Sequence, residues 1–287
     1  MIKKILFIGL AFVFFTEARA VWAKELDAAA IQAVPVSEIK SIQPGRPFWL
    51  GLKMKMAEGW HIYWINPGDA GLATHIDWQL PRGFIAGPTH WPFPQKFNEG
   101  GLTTYGYAGK EVFLTQITPF LIAQEQDVTF RARVNWLACR EICVPGEADV
   151  SFTLPIKDEW PHIDKKKKKF FLRTMKRWPI PQGLGTAWQV AAYEQDAFLV
   201  LDVVSPHEKF SSFGQLIFFP ERNDLLDHGG EQKIKKIKNG YQLWLSKSTL
   251  FKENTKSIKG VLVCDKSWDK KNPRRALEVD VPLSRKE

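Results

Sequence analysis

The sequence predicts an all-β protein of two β-sandwiches joined by a helical linker, behind an N-terminal signal peptide. Three observations predict it. Short runs of alternating apolar and polar residues recur between Gly/Pro turns from Lys24 to about Lys157, without a helical period among them. The same pattern resumes near Thr186 and continues to the C-terminus. One stretch between them, Asp158 to Gln182, changes both period and composition. The expected division is therefore 1–23 leader, 24–157 first sandwich, 158–182 helical linker and 183–287 second sandwich.

The leader is read from order. Lys3 and Lys4 precede the apolar run Ile5 to Phe15, and small residues recur at Ala18-Arg19-Ala20 and Val21-Trp22-Ala23. That is the charged, apolar and cleavage sequence of a secretory signal. The run holds 11 residues, against the roughly 20 of a membrane-spanning helix. No later segment approaches that length without charges, so no transmembrane segment is expected in the mature chain. Removing residues 1–23 takes away three cations and one anion, and the net charge falls from +9 to +7. At that magnitude charge alone selects no partner.

In the first sandwich, Phe48 to Met56 alternates cleanly in its C-terminal half, and Gly59 to Trp64 is a second strand that Asn66-Pro67-Gly68 closes. Ile76 to Leu80 alternates and stops at Pro81; Val112 to Ile117 and Val128 to Val134 continue the series. Trp60, Trp64, Trp78 and Trp136 fall among these strands and read as core, not as a stacking platform for nucleic acid. The linker opens on Lys165 to Lys169. Phe170, Phe171, Leu172, Met175 and Trp178 then give one amphipathic helix that Pro179-Ile180-Pro181 ends. The lysine run reads as a solvated face in preference to a nucleic-acid or anionic-lipid site, and no nucleic-acid partner is expected. In the second sandwich the strands are Phe198–Val204, Gln215–Phe219, Tyr241–Leu245, Gly260–Cys264 and Ala276–Val281. Cys264 lies in an apolar strand and reads as a buried, inert thiol.

Chemistry concentrates in Val134 to Ala148. Val134, Trp136 and Ala138 alternate with Asn135, Leu137 and Cys139, the period of a strand with two unlike faces. Val150, Phe152 and Leu154 mark a second strand. Arg140-Glu141-Ile142 reads as a turn, and Val144-Pro145-Gly146 as the exit from it. A short turn between paired strands brings two Cα atoms within disulfide range. The chain holds three cysteines, too few for a disulfide-stapled scaffold, and the odd count leaves one unpaired. Spacing alone leaves a redox pair and a structural staple evenly matched. Arg140 beside Cys139 favours a thiolate, whereas Glu141 opposes it.

With these residues in hand, the chain resembles the N-terminal periplasmic region of the DsbD/ScsB-type thiol:disulfide interchange proteins, closest to the ScsB-like branch. The blocks that carry the resemblance are Gly59-Trp60-His61-Ile62-Tyr63-Trp64-Ile65-Asn66-Pro67-Gly68-Asp69-Ala70-Gly71 and Ile76-Asp77-Trp78-Gln79-Leu80-Pro81. Trp91-Pro92-Phe93-Pro94, Tyr105-Gly106-Tyr107 and the cysteine stretch add to them; Phe218-Phe219-Pro220-Glu221 and Val279 to Leu283 extend it into the second half.

The resemblance implies immunoglobulin-like sandwiches and a redox-active pair, Cys139 and Cys143, with Cys143 forming mixed disulfides and Cys139 resolving them. It implies a periplasmic protein-disulfide reductase type of activity without cofactor. Its partners would be thioredoxin-like periplasmic proteins and a membrane electron donor. The sequence contains no Cys-x-x-Cys thioredoxin motif, so the electron source is expected on a separate polypeptide. The resemblance further implies a cap loop over the cysteines within Phe97 to Tyr107. Tyr105 or Tyr107 would be its aromatic shield, Gly100-Gly101 its hinge and Glu99 its nearest acid. Competing readings are a non-catalytic binding or scaffold module with a structural disulfide, and a copper-related metal-binding stress protein. The latter would draw on His61, His75 and His90, but no finger-type Cys/His spacing is present, and no metal ligand is assigned.

Overall fold

The computed structural model describes residues 30–120, 127–161, 163, 165–183, 186–205, 214–268 and 273–285; the expected signal peptide lies outside them. The first strands are β1 (Ile31–Ser37), β2 (Phe48–Met56), β3 (His61–Gly68), β4 (His75–Gln79) and β5 (Phe84–His90). They continue with β6 (Gln95–Glu99), β7 (Leu102–Ala108), β8 (Lys110–Pro119), β9 (Asp127–Cys139) and β10 (Cys143–Pro155). After helix α1 (Lys165–Met175) come β11 (Gln189–Gln195), β12 (Phe198–Val204), β13 (Leu216–Pro220) and β14 (Lys233–Ile237). The last are β15 (Gly240–Ser246), β16 (Ser257–Cys264) and β17 (Ala276–Arg285). Among the described residues no helix is long and apolar enough to cross a membrane.

Two sheets face each other in the first half. One runs β1-β2-β8-β5; the other runs β10-β9-β3-β7-β6, with β4 sharing the β9 edge that β3 uses. Alternation decides what lies between them. Phe48, Leu50, Leu52, Met54 and Met56 of β2 are buried, while Lys53 and Lys55 lie on the other face. They meet Phe130, Val134, Trp136 and Ala138 of β9 and Ile62 and Trp64 of β3. The third sheet, β13-β16-β17-β11-β12-β15-β14, folds on itself because β17 changes partner along its length. Ala276 to Pro282 pair with β16, and Leu283 to Arg285 pair with β11. Leu216, Phe218, Leu262, Cys264 and Leu277 then pack on Leu199, Leu201, Leu243 and Leu245.

The two halves share apolar surface. β13 and the Gly260–Cys264 part of β16 are buried on both faces, which is why these stretches are continuous apolar runs. Phe219, Val261, Val263 and Ala276 join the cluster that contains Trp64 and Tyr105. Polar contacts fix the match: Asn66 Nδ2 donates to Pro220 O at 2.8 Å, and the Tyr105 hydroxyl lies 3.0 Å from His228 Nδ1. His228 Nε2 faces the Asn223 carbonyl at 3.1 Å. A carbonyl only accepts, so Nε2 carries the proton and Nδ1 accepts from Tyr105.

Helix α1 lies against the outer face of the β1-β2-β8 sheet. Phe171, Val112 and Leu114 form the centre of this contact, with Phe170, Met175 and Trp178 around it. Trp178 stacks on His90 at 4.2 Å. Two expected strand ends fall elsewhere. Asn66-Pro67-Gly68 lies inside β3, where the pairing with β7 slips between Tyr63 and Gly68. Pro145-Gly146 lies inside β10, an outermost strand of its sheet where a missing N–H costs no ladder bond.

Burial holds His61, His90 and His228 below the ordinary histidine pKa. The unfolded chain, titrating near about 6.5, takes up these protons first. The stability the three sustain is therefore full above that value and lost as the pH falls below it. Urea unfolding is expected to give a midpoint that drops between about pH 7 and 5.5, above the carboxylate range; a constant midpoint across that window would contradict the assignment.

Candidate functional site

The site is the open end of the β9–β10 hairpin. Cys139 ends β9, Cys143 begins β10, and the two are register partners across Arg140-Glu141-Ile142. Their Cα atoms are 4.1 Å apart and the sulfurs form a disulfide. The environments differ. Cys139 is 2 % exposed because β3 flanks it, with His61 as its register partner. Cys143 is exposed, since β10 has no neighbour on its far side.

Period and register choose the surrounding side chains. Ile62 and Trp64 of β3 enter the core, so His61 and Tyr63 share the opposite face with Cys139. The Tyr63 hydroxyl donates to Cys139 Sγ at 3.0 Å and lies 3.9 Å from Cys143 Sγ. Among the described residues it is the side-chain donor in reach of either sulfur. Burial, then the charge of Glu99, raises the Tyr63 pKa, so the hydroxyl keeps its proton. Gly71, at φ +106°, lies on the Tyr63 ring; a Cβ there would stand 2.4 Å from Cε1. Only glycine lets this loop close over the tyrosine. Asp69 anchors the loop, accepting from Thr103 N at 2.8 Å and donating its own N–H to Thr103 O at 2.9 Å.

His61 stacks on Phe97 at 4.5 Å and meets the Tyr63 ring edge-on at 5.2 Å. Its Nδ1 lies 3.7 Å from Glu99 Oε1, while Nε2 is buried without a partner among the described residues. Burial lowers the His61 pKa, against the upward pull of Glu99. The contact is therefore a neutral imidazole beside a carboxylate near neutral pH. Arg140 rests over Trp60, 5.7 Å from the ring centroid. Leu72 and Ile142, 65 % and 63 % exposed, leave apolar surface in the loop over Tyr63 and in the turn between the cysteines.

The residues expected in a cap are placed differently. Phe97 to Tyr107 is largely the β6–β7 hairpin, and Gly100-Gly101 is its two-residue turn, with φ of +59° and +81°. Tyr105 and Tyr107 point into the core, 1 % and 0 % exposed; the Tyr107 hydroxyl donates to Pro92 O at 2.8 Å. Gly106 pairs with Tyr63, so alternation sends both tyrosines to the side away from Cys139. Glu99 reaches His61, not the sulfurs. Sequence reasoning gave no role to Tyr63 or Gly71. The available signal was the parity of β3: with Ile62 and Trp64 in the core, Tyr63 had to emerge on the Cys139 face.

His61, His75 and His90 are not gathered: His75 is exposed on β4 and His90 packs against Trp178. Among the described residues no three His, Cys, Asp or Glu side chains form a metal-ligating group. Cys264 is buried, and burial raises its thiol to about 12.

The site is thus a β-sandwich hairpin that ends in one buried and one exposed sulfur, bonded to each other. Residues 29–155 match the family model of the N-terminal region of thiol:disulfide interchange protein DsbD. The structure is similar to the N-terminal periplasmic domain of ScsB from Proteus mirabilis. The TM-score is 0.63 at 16 % identity, over 90 % of this chain and 95 % of that one. The shared all-β fold thus spans both halves. The reduced N-terminal domain of Neisseria meningitidis DsbD aligns with 48 % of this chain and 97 % of its own, at 11 % identity and a TM-score of 0.29. No curated protein sequence matches the chain.

A hydrogen bond to a charged sulfur contributes about 1.5–3 kcal/mol, or roughly tenfold to a hundredfold in rate. Tyr63→Phe is expected to slow reduction of the disulfide by dithiothreitol by that factor, followed by thiol alkylation and mass. An unchanged rate would mean that the hydroxyl gives the departing sulfur no help.

Proposed function

We propose that this protein is a periplasmic thiol–disulfide exchange protein. It passes reducing equivalents between a separate membrane electron donor and exported thiol proteins, thioredoxin-like ones among them, through Cys139 and Cys143. The observation that carries this reading is the asymmetry of the pair: an exposed Cys143 and a buried Cys139 that accepts from Tyr63.

A donor thiolate attacks Cys143 Sγ, and the bond to Cys139 breaks. The electron pair leaves on Cys139 Sγ, where the Tyr63 O–H meets the new charge before a proton arrives. A second donor thiol displaces Cys143 from the mixed disulfide, leaving a dithiol here and a disulfide in the donor. Reduction of a client runs the same steps in reverse, Cys143 attacking and Cys139 resolving. Leu72 and Ile142 offer a partner apolar contact beside the exposed sulfur.

The match of residues 29–155 to the family model of the DsbD N-terminal region supports the same reading. So does the small gain a staple would bring: in the chain-entropy model so short a loop stabilises by about 2 kcal/mol, against roughly 3 for a 15-residue loop. The division into a redox sandwich at 24–157, a helical connection at 158–182 and a second sandwich at 183–287 belongs to the proposal. It is supported by sheets whose strand pairs stay within one half or the other.

Trapping tests it. Cys139→Ser is expected to hold a partner on Cys143 as a mixed disulfide that survives non-reducing electrophoresis, whereas Cys143→Ser is expected to hold little. Equal trapping by both variants, or by neither, would contradict the assigned roles.

A further inference from the structure

Helix α1 begins with Lys165 to Lys169 and has no acidic residue in its first turn. The first turn is the positive end of the helix dipole, so cations there are unfavourable. Lys165 and Lys169 are also like charges one turn apart. Phe171, packed on Val112 and Leu114, holds α1 to the sheet without help from these lysines. On its outer side Lys165, Lys168, Lys169, Leu172 and Arg173, continued by Lys176 just past its end, recur at the three- and four-residue spacing of one broad face, and all are exposed. None of the five cationic side chains in that set forms an ion pair with a described residue. Beside the helix, against β1, lies a groove of about 430 Å³ walled by Pro35, Val36, Phe170 and Phe171, with Lys166 and Lys167 also lining it.

We propose that this face of α1 seats the protein on an anionic lipid bilayer. The lysines meet headgroup phosphates, Leu172 enters the boundary between headgroups and chains, and the groove takes the apolar part of one lipid. Charge accounts for the sign of the partner, since each cation near such a surface adds attraction. The apolar elements distinguish a bilayer from a nucleic acid or an acidic protein. Leu172 stands among the cations 51 % exposed, and an apolar residue so placed matches the interfacial boundary. The geometry is compatible with the disulfide site. α1 covers the outside of the β1-β2-β8 sheet, whereas His61, Tyr63 and Cys139 share the outside of the opposing sheet. Docking through α1 therefore leaves Cys143 turned away from the lipid. The inference does not depend on the exchange reading.

Flotation of the mature chain tests it, with vesicles of phosphatidylcholine alone or mixed with phosphatidylglycerol, at low and physiological salt. The protein is expected to float with the anionic vesicles and to remain behind with neutral ones. Replacing Lys165, Lys168 and Lys169 together by Gln is expected to weaken that binding by about tenfold or more, with the unfolding midpoint equal or raised. Leu172→Gln is expected to weaken vesicle binding while leaving retention on heparin unchanged. No flotation with anionic vesicles at low salt, or undiminished binding by the triple variant, would overturn the proposal. A lowered midpoint would overturn the argument that the lysines are dispensable to the fold. Equal vesicle binding by Leu172→Gln would assign the face to polyanions in general.

Discussion

Opening the Cys139–Cys143 bond by attack on the exposed sulfur forces a negative charge onto one that is 2 % exposed. A thiolate removed from water is costly unless something hydrogen-bonds it. The architecture of the site answers that constraint. Tyr63 brings its hydroxyl to 3.0 Å from Cys139 Sγ. Gly71 lets the following loop lie flat on the tyrosine ring, and Asp69 ties that loop to the β6–β7 hairpin through Thr103. The strand register beneath places His61 opposite Cys139 and Cys139 opposite Cys143. Shifting β3 by one residue would exchange His61 and Tyr63 with core residues and leave the buried sulfur without a donor.

The alternating strands were legible because their faces differ. β2 and β9 read correctly from period, and α1 from Phe171, Met175, Trp178 and the prolines after it. Polar strands such as β6 and β14 did not stand out. Both are outermost in their sheets, where Gln95-Lys96-Phe97-Asn98-Glu99 and Lys233-Ile234-Lys235-Lys236-Ile237 need no apolar face, and charged residues guard against edge-to-edge association. Proline misled at Pro67 and Pro145 for a related reason: a bulge and an outermost strand tolerate the missing N–H.

At the site, the cysteines and their turn were visible in their spacing, but spacing could not separate a redox pair from a staple. Tyr105 or Tyr107 was expected above the sulfurs, whereas register places both beneath the sheet. Tyr105 instead donates to His228 of the other half, in the same apolar seam as Trp64, Phe219 and Val261. Tyr63 was passed over because its role depends on which face β3 turns inward, a property of pairing between residues 76 positions apart. The seam between the halves, the disulfide and the basic helix thus occupy separate sides of the first sandwich. The seam is apolar and closed, the disulfide end is open, and α1 presents its cations on the remaining side.

The central claim is that the pair opens and closes in use. Equilibration of the purified protein with defined ratios of reduced and oxidised glutathione, read by alkylation and mass, measures it directly. A reduction potential above about −300 mV, within reach of exchange partners, is predicted. A potential well below about −300 mV would make the bond a structural one and contradict the account.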